Sequence, residues 1–312
     1  MRVAIIDLGT NTFNLLVAEV DGGTRFKTIH NSKCGVKLGE GGIDKRLIAP
    51  AAWERGLKAI ETHVQTAKDY KVDKIFAFAT SATRDAKNGA EFVDEIYQKH
   101  QVKVNVIEGE REAFLIYLGV RQAVDLGDKI NLVLDIGGGS NELILCNADE
   151  VFWKHSFNLG IQRLLNLFSP SDPITNEQIK QVESYLEKEL QPLFEATSKF
   201  KPIRLVGSSG SFDTYRSLLA NAESIPLTDE ITETIPLKDY IQLHQTLLKS
   251  NRDERVAMKG MELIRVDFIV LASIFTHFIV DRLGIKQIIQ SNYALKEGAI
   301  WEILNDQHIK RN

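Results

Sequence analysis

The chain has 312 residues, room for about two domains of about 150 residues each. Its 44% hydrophobic and 26% charged residues are the proportions of an ordinary globular protein, which argues against disorder and against residence in a membrane. A formal net charge of −4 argues against a general nucleic-acid binder, because that role needs a basic face to displace counterions from phosphates.

Met1-Arg2 leads straight into an apolar run, so no secretory signal is expected and the chain reads as cytoplasmic. Strand-like runs at 2–8 and 12–20 pair as a hairpin, which 25–31 continues. The glycine-rich stretch 35–42 reads as an exposed loop. Apolar Trp53, Leu57, Ile60, Val64 and Ala67 recur at steps of three and four, predicting a helix over 50–70 with one buried stripe. A strand at 74–79, a helix ending near 99, a strand at 102–107 and a helix over about 110–124 complete an α/β lobe.

Residues 125–129 read as the passage to a second lobe. It opens with strands at 131–136 and 141–146 and a third at 151–157, followed by a polar helix over 176–196 and a strand at 203–206. Gly207-Ser208-Ser209-Gly210 then opens another helix, helical patterns cover 237–249 and 267–283, and a strand at 287–290 precedes a last helix over 293–305. Loops are expected at 169–173 and 225–236. Phe268 to Val280, the most apolar stretch, falls short of the roughly 20 residues a bilayer span needs and reads as a buried helix. The domains expected are 1–124 and 125–292, with the C-terminal segment 293–312 packing back on the first. Cys34 and Cys146 have no metal-ligand or redox spacing and read as reduced structural thiols.

One phrase occurs twice: an apolar strand, Asp-x-Gly, small polar or glycine residues, and a second apolar strand. The copies run from Val3 to Val17, around Asp7-Leu8-Gly9-Thr10-Asn11-Thr12, and from Asn131 to Leu145, around Asp135-Ile136-Gly137-Gly138-Gly139-Ser140. Glycine and hydroxyl turns expose backbone N–H groups to an anion, and the Asp ahead of each offers a carboxylate to a metal. An Asp before Gly is commonly a mere turn former. Its duplication favours function, with two lobes closing a cleft on one polyanion. Glu142 leaves the second turn, and carboxylates beside a phosphate call for a divalent cation between them, so Asp7, Asp135 and Glu142 are the candidate metal ligands, directly or through water.

Gly207-Ser208-Ser209 precedes a helix whose N-terminal N–H groups would face an anion, although a serine-capped tight turn explains the same residues. Arg84, after Thr80-Ser81, could clamp a phosphate through two N–H groups. Glu108, Glu110 and Glu112 crowd the start of one helix, as the dipole favours. Glu112 borders the apolar face at Leu115 and Ile116, the rigid setting a general base needs, but the residues alone do not select it over Glu110. No P-loop, dinucleotide-binding glycine motif, zinc-protease helix or nucleophile elbow occurs, and the seven His residues lack ligand spacing, with His277 read as a core residue.

Together, Asp7-Leu-Gly-Thr-Asn-Thr-Phe13, Ala79-Thr-Ser-Ala-Thr-Arg84, Gly109-Glu-Arg-Glu112-Ala113, Asp135-Ile-Gly-Gly-Gly-Ser-Asn-Glu142 and Arg265-Val-Asp267 resemble the exopolyphosphatase/guanosine pentaphosphate phosphohydrolase family over essentially the whole chain. That family lies in the actin, Hsp70 and sugar-kinase superfamily, so the resemblance implies an α/β fold of two ribonuclease-H-like domains with a cleft between them. It also implies Glu112 as catalytic base, phosphate binding by Gly9 to Thr12, Gly137 to Ser140 and Arg84, and Mg²⁺ support from Asp135 and Glu142. A homodimer is implied by the resemblance only. Lys37 stands where the family often has Arg, and Asn141 where it usually has Thr. Longer members continue into a helical region, and this chain resembles the short two-domain form.

The expected activity is Mg²⁺-dependent removal of the terminal phosphate of linear polyphosphate by a water that Glu112 deprotonates. The alternatives are the 5′ end of guanosine pentaphosphate as substrate, a non-catalytic sensor of alarmone or polyphosphate, and a sugar or acetate kinase. No nucleic-acid or membrane partner is expected.

Overall fold

A computed structural model describes residues 1–20, 25–222 and 230–309, so part of the loop expected at 225–236, and residues 310–312 of the C-terminal segment, lie outside the described residues. The chain divides into two compact units. The first contains Met1–Gly119, the short segment Gly137–Ser140, and the chain from Ala294; the second contains Val120–Ile136 and Asn141–Tyr293.

The first unit is built on strands β1 (Arg2–Leu8), β2 (Thr12–Val20), β3 (Phe26–Gly35), β4 (Lys74–Ala79) and β5 (Val104–Val106), with helices α1 (Pro50–Asp69), α2 (Ser81–Arg84), α3 (Gly89–His100) and α4 (Gly109–Ala123) as far as Gly119. The strand order is β3-β2-β1-β4-β5. β1 is antiparallel to β2 and parallel to β4, so the hairpin forms half the sheet and a crossover through α1 adds the rest. Central β1 is buried almost throughout because both sheet faces are covered, which is why it reads as an apolar run rather than an alternation. One face packs on α1 and α3 through Ile6, Leu8, Leu15, Ile60, Val64 and Phe92.

Residues 35–42 are not the exposed loop that their glycine content suggests. Val36, Leu38, Gly39 and Gly42 are buried. Apolar Val36 and Leu38 join the core beneath the sheet, and a Cβ at Gly42 would meet Leu47 O at 2.1 Å, so this glycine serves a close backbone approach rather than flexibility.

The second unit repeats the plan with β6 (Asn131–Ile136), β7 (Asn141–Cys146), β8 (Val151–Phe157), helices α5 (Ile161–Phe168), α6 (Asn176–Glu189) and α7 (Gln191–Lys199), then β9 (Leu205–Ser208), α8 (Gly210–Ala222), β10 (Thr232–Ile235), α9 (Leu237–Lys249), α10 (Arg252–Ala257), α11 (Ile269–Leu283) and β11 (Ile288–Ser291). Its sheet order is β10-β11-β9-β6-β7-β8. β6 again leads an antiparallel hairpin and pairs in parallel with the strand that follows the helices. Both units are therefore α/β with the ribonuclease-H-like strand order, and β10 is an added antiparallel edge strand in the second.

The polar helix expected over 176–196 is two helices. Pro192 in the first turn of α7 cannot supply a helical N–H, so the chain breaks at Leu190. β10, where a loop is expected, pairs four residues with β11. A last helix, α12 (Leu295–Ile309), lies in the first unit, where Ala299, Ile300 and Leu304 cover Val3, Ile5, Leu16 and Ala18 on the sheet face opposite α1. Cys34 and Cys146 are free thiols, and burial pushes Cys146 up to about 12, as expected of structural cysteines. Among the described residues, no helix is long and apolar enough to cross a membrane.

Candidate active site

The two Asp-x-Gly phrases fold alike. Asp7 lies opposite Asn14 across β1 and β2, and Asp135 lies opposite Glu142 across β6 and β7. In each turn the first glycine donates its N–H to a carbonyl three residues on, Gly9 to Thr12 O and Gly137 to Ser140 O, both at 3.1 Å. A Cβ at Gly9 would sit 2.8 Å from Thr12 O and one at Gly137 2.4 Å from Ser140 O, so any larger residue would open the turn.

The segment Gly137–Ser140 belongs to the same unit as the turn Gly9–Thr12, and the two are packed tightly there. A Cβ at Gly139 would lie 2.6 Å from both Thr10 Oγ1 and Ser81 Oγ, and one at Gly138 would lie 2.7 Å from Asn11 Nδ2. The structure thus gathers Thr10, Asn11, Ser81, Gly138 and Gly139 within the first unit. Thr10, Asn11, Ser81 and Ser140 are buried polar residues. Asn11 Oδ1 is buried and accepts no hydrogen bond from the protein.

Strand β4 ends at Ala79 and α2 follows at once, which sets Arg84 beside the start of α4. Its Nη1 donates to Ile107 O at 2.9 Å and to Glu112 Oε2 at 3.1 Å, and its Nε lies 3.6 Å from Asp85 Oδ1. Glu112 is 7% exposed, whereas Glu108 and Glu110 are exposed. Of the three acids at this helix start, Glu112 is the buried one, and a guanidinium that only donates meets it as an acceptor.

In the second unit the metal candidates have hydroxyl partners. Ser208 Oγ donates to Asp135 Oδ2 at 2.7 Å, Ser209 Oγ reaches both Asp135 oxygens at 2.7 Å, and Ser156 Oγ donates to Glu142 Oε1 at 2.6 Å. Asp7 accepts from Asn14 Nδ2 at 3.0 Å. Register explains the first contact: Ser208 is the last residue of β9 and lies directly opposite Asp135 on parallel β6. The hydroxyls of Ser208 and Ser209 are thus directed to this carboxylate, whereas the phosphate binding expected of Gly207-Ser208-Ser209 is through helix N–H groups. Ser209 also holds a left-handed backbone, φ 70°, uncommon for a residue with a Cβ. Gly207 is packed so closely on Phe212 that a Cβ would lie 2.2 Å from the ring.

Among the described residues, no three His, Cys, Asp or Glu side chains form a group that would hold a metal ion. Mg²⁺ does not need one, because it is usually bound by one or two carboxylates together with waters and phosphate oxygens. Asp135 and Glu142, buried and directly opposite each other, are such a pair, and like charges in that position favour a cation. The residues present fit Mg²⁺.

Lys37 follows β3 with φ 48°, and Asn141, fully buried, donates its Nδ2 to Leu159 O at 2.9 Å. Two further arginines make close contacts near these segments. The Arg265 guanidinium lies against the N-terminus of α8, where a Cβ at Gly210 would be 1.9 Å from its Nη2. Arg55, in the middle of α1, donates to the carbonyls of Val36 and Lys37. A single arginine within a helix carries no sequence signal for the contacts of Arg55, whereas Arg265 stands in the phrase Arg265-Val-Asp267.

The chain matches the Ppx/GppA phosphatase family over residues 16–307. It is 26% identical to exopolyphosphatase 1 of Mycobacterium tuberculosis, over 98% of this chain and 89% of that one. It is 31% identical to a bifunctional 3-dehydroquinate synthase/phosphatase of Fusobacterium nucleatum, covering 96% of this chain but 46% of that protein, so the chain spans about half of that relative. Among solved structures, an exopolyphosphatase from Cytophaga hutchinsonii superposes with a TM-score of 0.95 at 35% identity, with 98% of each chain covered. An Aquifex aeolicus member of the Ppx/GppA family superposes with a TM-score of 0.80 at 26% identity over 99% of each chain. With a family model matching residues 16–307 and a solved structure sharing the fold over 98% of the chain, the chain belongs to the Ppx/GppA phosphatase family.

Proposed function

We propose that this protein is an exopolyphosphatase that hydrolyses the terminal phosphate of linear inorganic polyphosphate. The observation that carries this reading is the pairing of buried Glu112 with Arg84 at 3.1 Å, in the unit that also contains both glycine turns. A carboxylate fixed at a helix start can take a proton from water, and the guanidinium beside it can bind the phosphoryl group that the water attacks. Polyphosphate is the substrate named for the exopolyphosphatases of Mycobacterium tuberculosis and Cytophaga hutchinsonii that the chain resembles.

In this reading the backbone N–H groups of the turns Gly9–Thr12 and Gly137–Ser140 offset charge on the phosphate oxygens, where no reorganisation is needed at the moment of reaction. Arg84 bears on the transferred phosphoryl group while Glu112 orients and deprotonates the water, and orthophosphate leaves. Asp135 and Glu142, which flank the second turn in sequence, would hold Mg²⁺. The ion supplies charge neutralisation to the phosphate oxygens when bound. Ser208, Ser209 and Ser156 keep the two carboxylates oriented through the hydroxyl contacts described above.

A phosphate-release panel tests the reading. Polyphosphate, guanosine pentaphosphate and ATP are each supplied with Mg²⁺ or with EDTA. Release from polyphosphate that EDTA abolishes is expected. Faster release from guanosine pentaphosphate would move the substrate to the alarmone, and binding without release over hours would make the protein a sensor.

A further inference from the structure

The turn Gly9–Thr12 is held from one side by its own carbonyl oxygens. Asn11 O accepts from the N–H groups of Val36 and Lys37, each at 2.9 Å, and Thr10 O accepts from Leu38 at 2.7 Å and Gly39 at 3.4 Å. In a trans peptide the C=O of one residue and the N–H of the next point in opposite directions. Turning both carbonyls toward residues 36–39 therefore aims the N–H groups of Asn11 and Thr12 the other way, side by side, as an anion-binding concavity requires.

Those donors are only as firmly aimed as residues 36–39. This segment carries its own strain, because Lys37 has φ 48°, a left-handed region that is unfavourable for a residue with a Cβ. A strained peptide persists where its surroundings over-determine it. Here the outward carbonyls of the segment are tied to α1: Arg55 Nε donates to Val36 O at 2.7 Å and Arg55 Nη2 to Lys37 O at 3.1 Å. The same Nη2 reaches Glu40 Oε2 at 2.6 Å. A planar guanidinium fork can span two successive carbonyls in this way, and a lysine ammonium cannot match its geometry.

We infer that Arg55 is a positioning residue for phosphate recognition: through residues 36–39 it fixes the direction in which the Asn11 and Thr12 N–H groups point. The inference rests on the reading that the turn Gly9–Thr12 takes a phosphate. Glu40, on the exposed side of the guanidinium, contributes a surface ion pair of little weight.

The test compares Arg55→Ala, Arg55→Lys, Glu40→Gln and Glu112→Gln for phosphate release from polyphosphate, each with its circular dichroism and thermal midpoint. Arg55→Ala is expected to lose about ten- to a hundredfold in kcat/KM at unchanged circular dichroism, since small misplacements of binding groups cost about that much. Guanidinium ion at millimolar concentration should restore part of the loss. Arg55→Lys should fall between Arg55→Ala and wild type, and Glu40→Gln should stay within about twofold of wild type.

The inference is overturned if folded Arg55→Ala, or Arg55→Lys where the alanine variant does not fold, matches wild type while Glu112→Gln is inactive. It is also overturned if Glu40→Gln loses as much as Arg55→Ala, because the ion pair rather than the carbonyl clamp would then matter. Full turnover by Glu112→Gln would instead remove the functional reading and this inference with it.

Discussion

Ser209 shows how a single residue can be held against its own preference. Its backbone is left-handed, yet its hydroxyl meets both oxygens of Asp135. Hydrogen bonds to a charged group contribute about 1.5–3 kcal/mol each, against on the order of 1 kcal/mol for the backbone. Ser209→Ala keeps the strain and loses this one bifurcated bond, so urea unfolding should show a loss of about 1.5–3 kcal/mol. Ser209→Gly loses the same bond but relieves the strain, and should be about 1 kcal/mol more stable than the alanine variant. Equal stability of the two would show that the conformation at position 209 carries no cost.

At the scale of elements, α12 and α4 cross with almost no space between their backbones. A Cβ at Gly298 would lie 1.8 Å from Leu115 O, and one at Gly119 would lie 1.9 Å from Ala294 O. Backbone atoms cannot swing aside as side chains do. Gly298→Ala must push the helices apart and loosen the contact of Ile300 and Leu304 with β1, costing about 1–3 kcal/mol or more. An unchanged denaturant midpoint for Gly298→Ala would contradict this account of the crossing.

Elements were legible in the sequence where local pattern and packing agree. α1 follows its apolar stripe, and β1 and β6 follow their apolar runs, because both kinds of element are buried along the positions that give the pattern. Short α5 and α10, and edge strand β10, were not legible, since four to eight residues give too little periodicity to rise above a loop. The candidate turns could be read because they occur twice. The support behind them could not: Val36 to Gly39, Arg55 and the serine contacts to Asp135 depend on register and on helix placement, which no spacing in the sequence encodes. Burial of Glu112, likewise a tertiary fact, separates it from Glu110.

At the scale of the whole molecule, each unit stands on its own core, and the core of the second contains an acid-sensitive histidine. His244 is 3% exposed, donates or accepts through Nδ1 with Ser273 Oγ at 3.1 Å, and stacks on His277 with ring centroids 4.2 Å apart. Burial, reinforced by the charge His277 would carry, pushes His244 down to about 4 from the usual 6.5. Between those values the unfolded chain binds a proton that the folded chain refuses, so stability rises with pH across that window. The stabilisation is present above about pH 6.5 and is lost as pH falls toward 4, on the order of 3 kcal/mol in all. Thermal midpoints of wild type should therefore drop more steeply from pH 6.5 to 4 than those of His244→Phe. Parallel curves would show that His244 does not carry the acid sensitivity.

The central claim is that the first unit, which holds both glycine turns and the buried Glu112, offers them to a phosphate chain. In the proposed reading Arg84 and the turns bind the phosphate, and Glu112 takes the proton from water. The most direct measurement is the rate of orthophosphate release from polyphosphate by Glu112→Gln, with Mg²⁺ supplied and the unfolding midpoint recorded on the same preparation. The account predicts a rate about 10² to 10⁴ below wild type at an unchanged midpoint. A rate equal to wild type in the folded variant would contradict it.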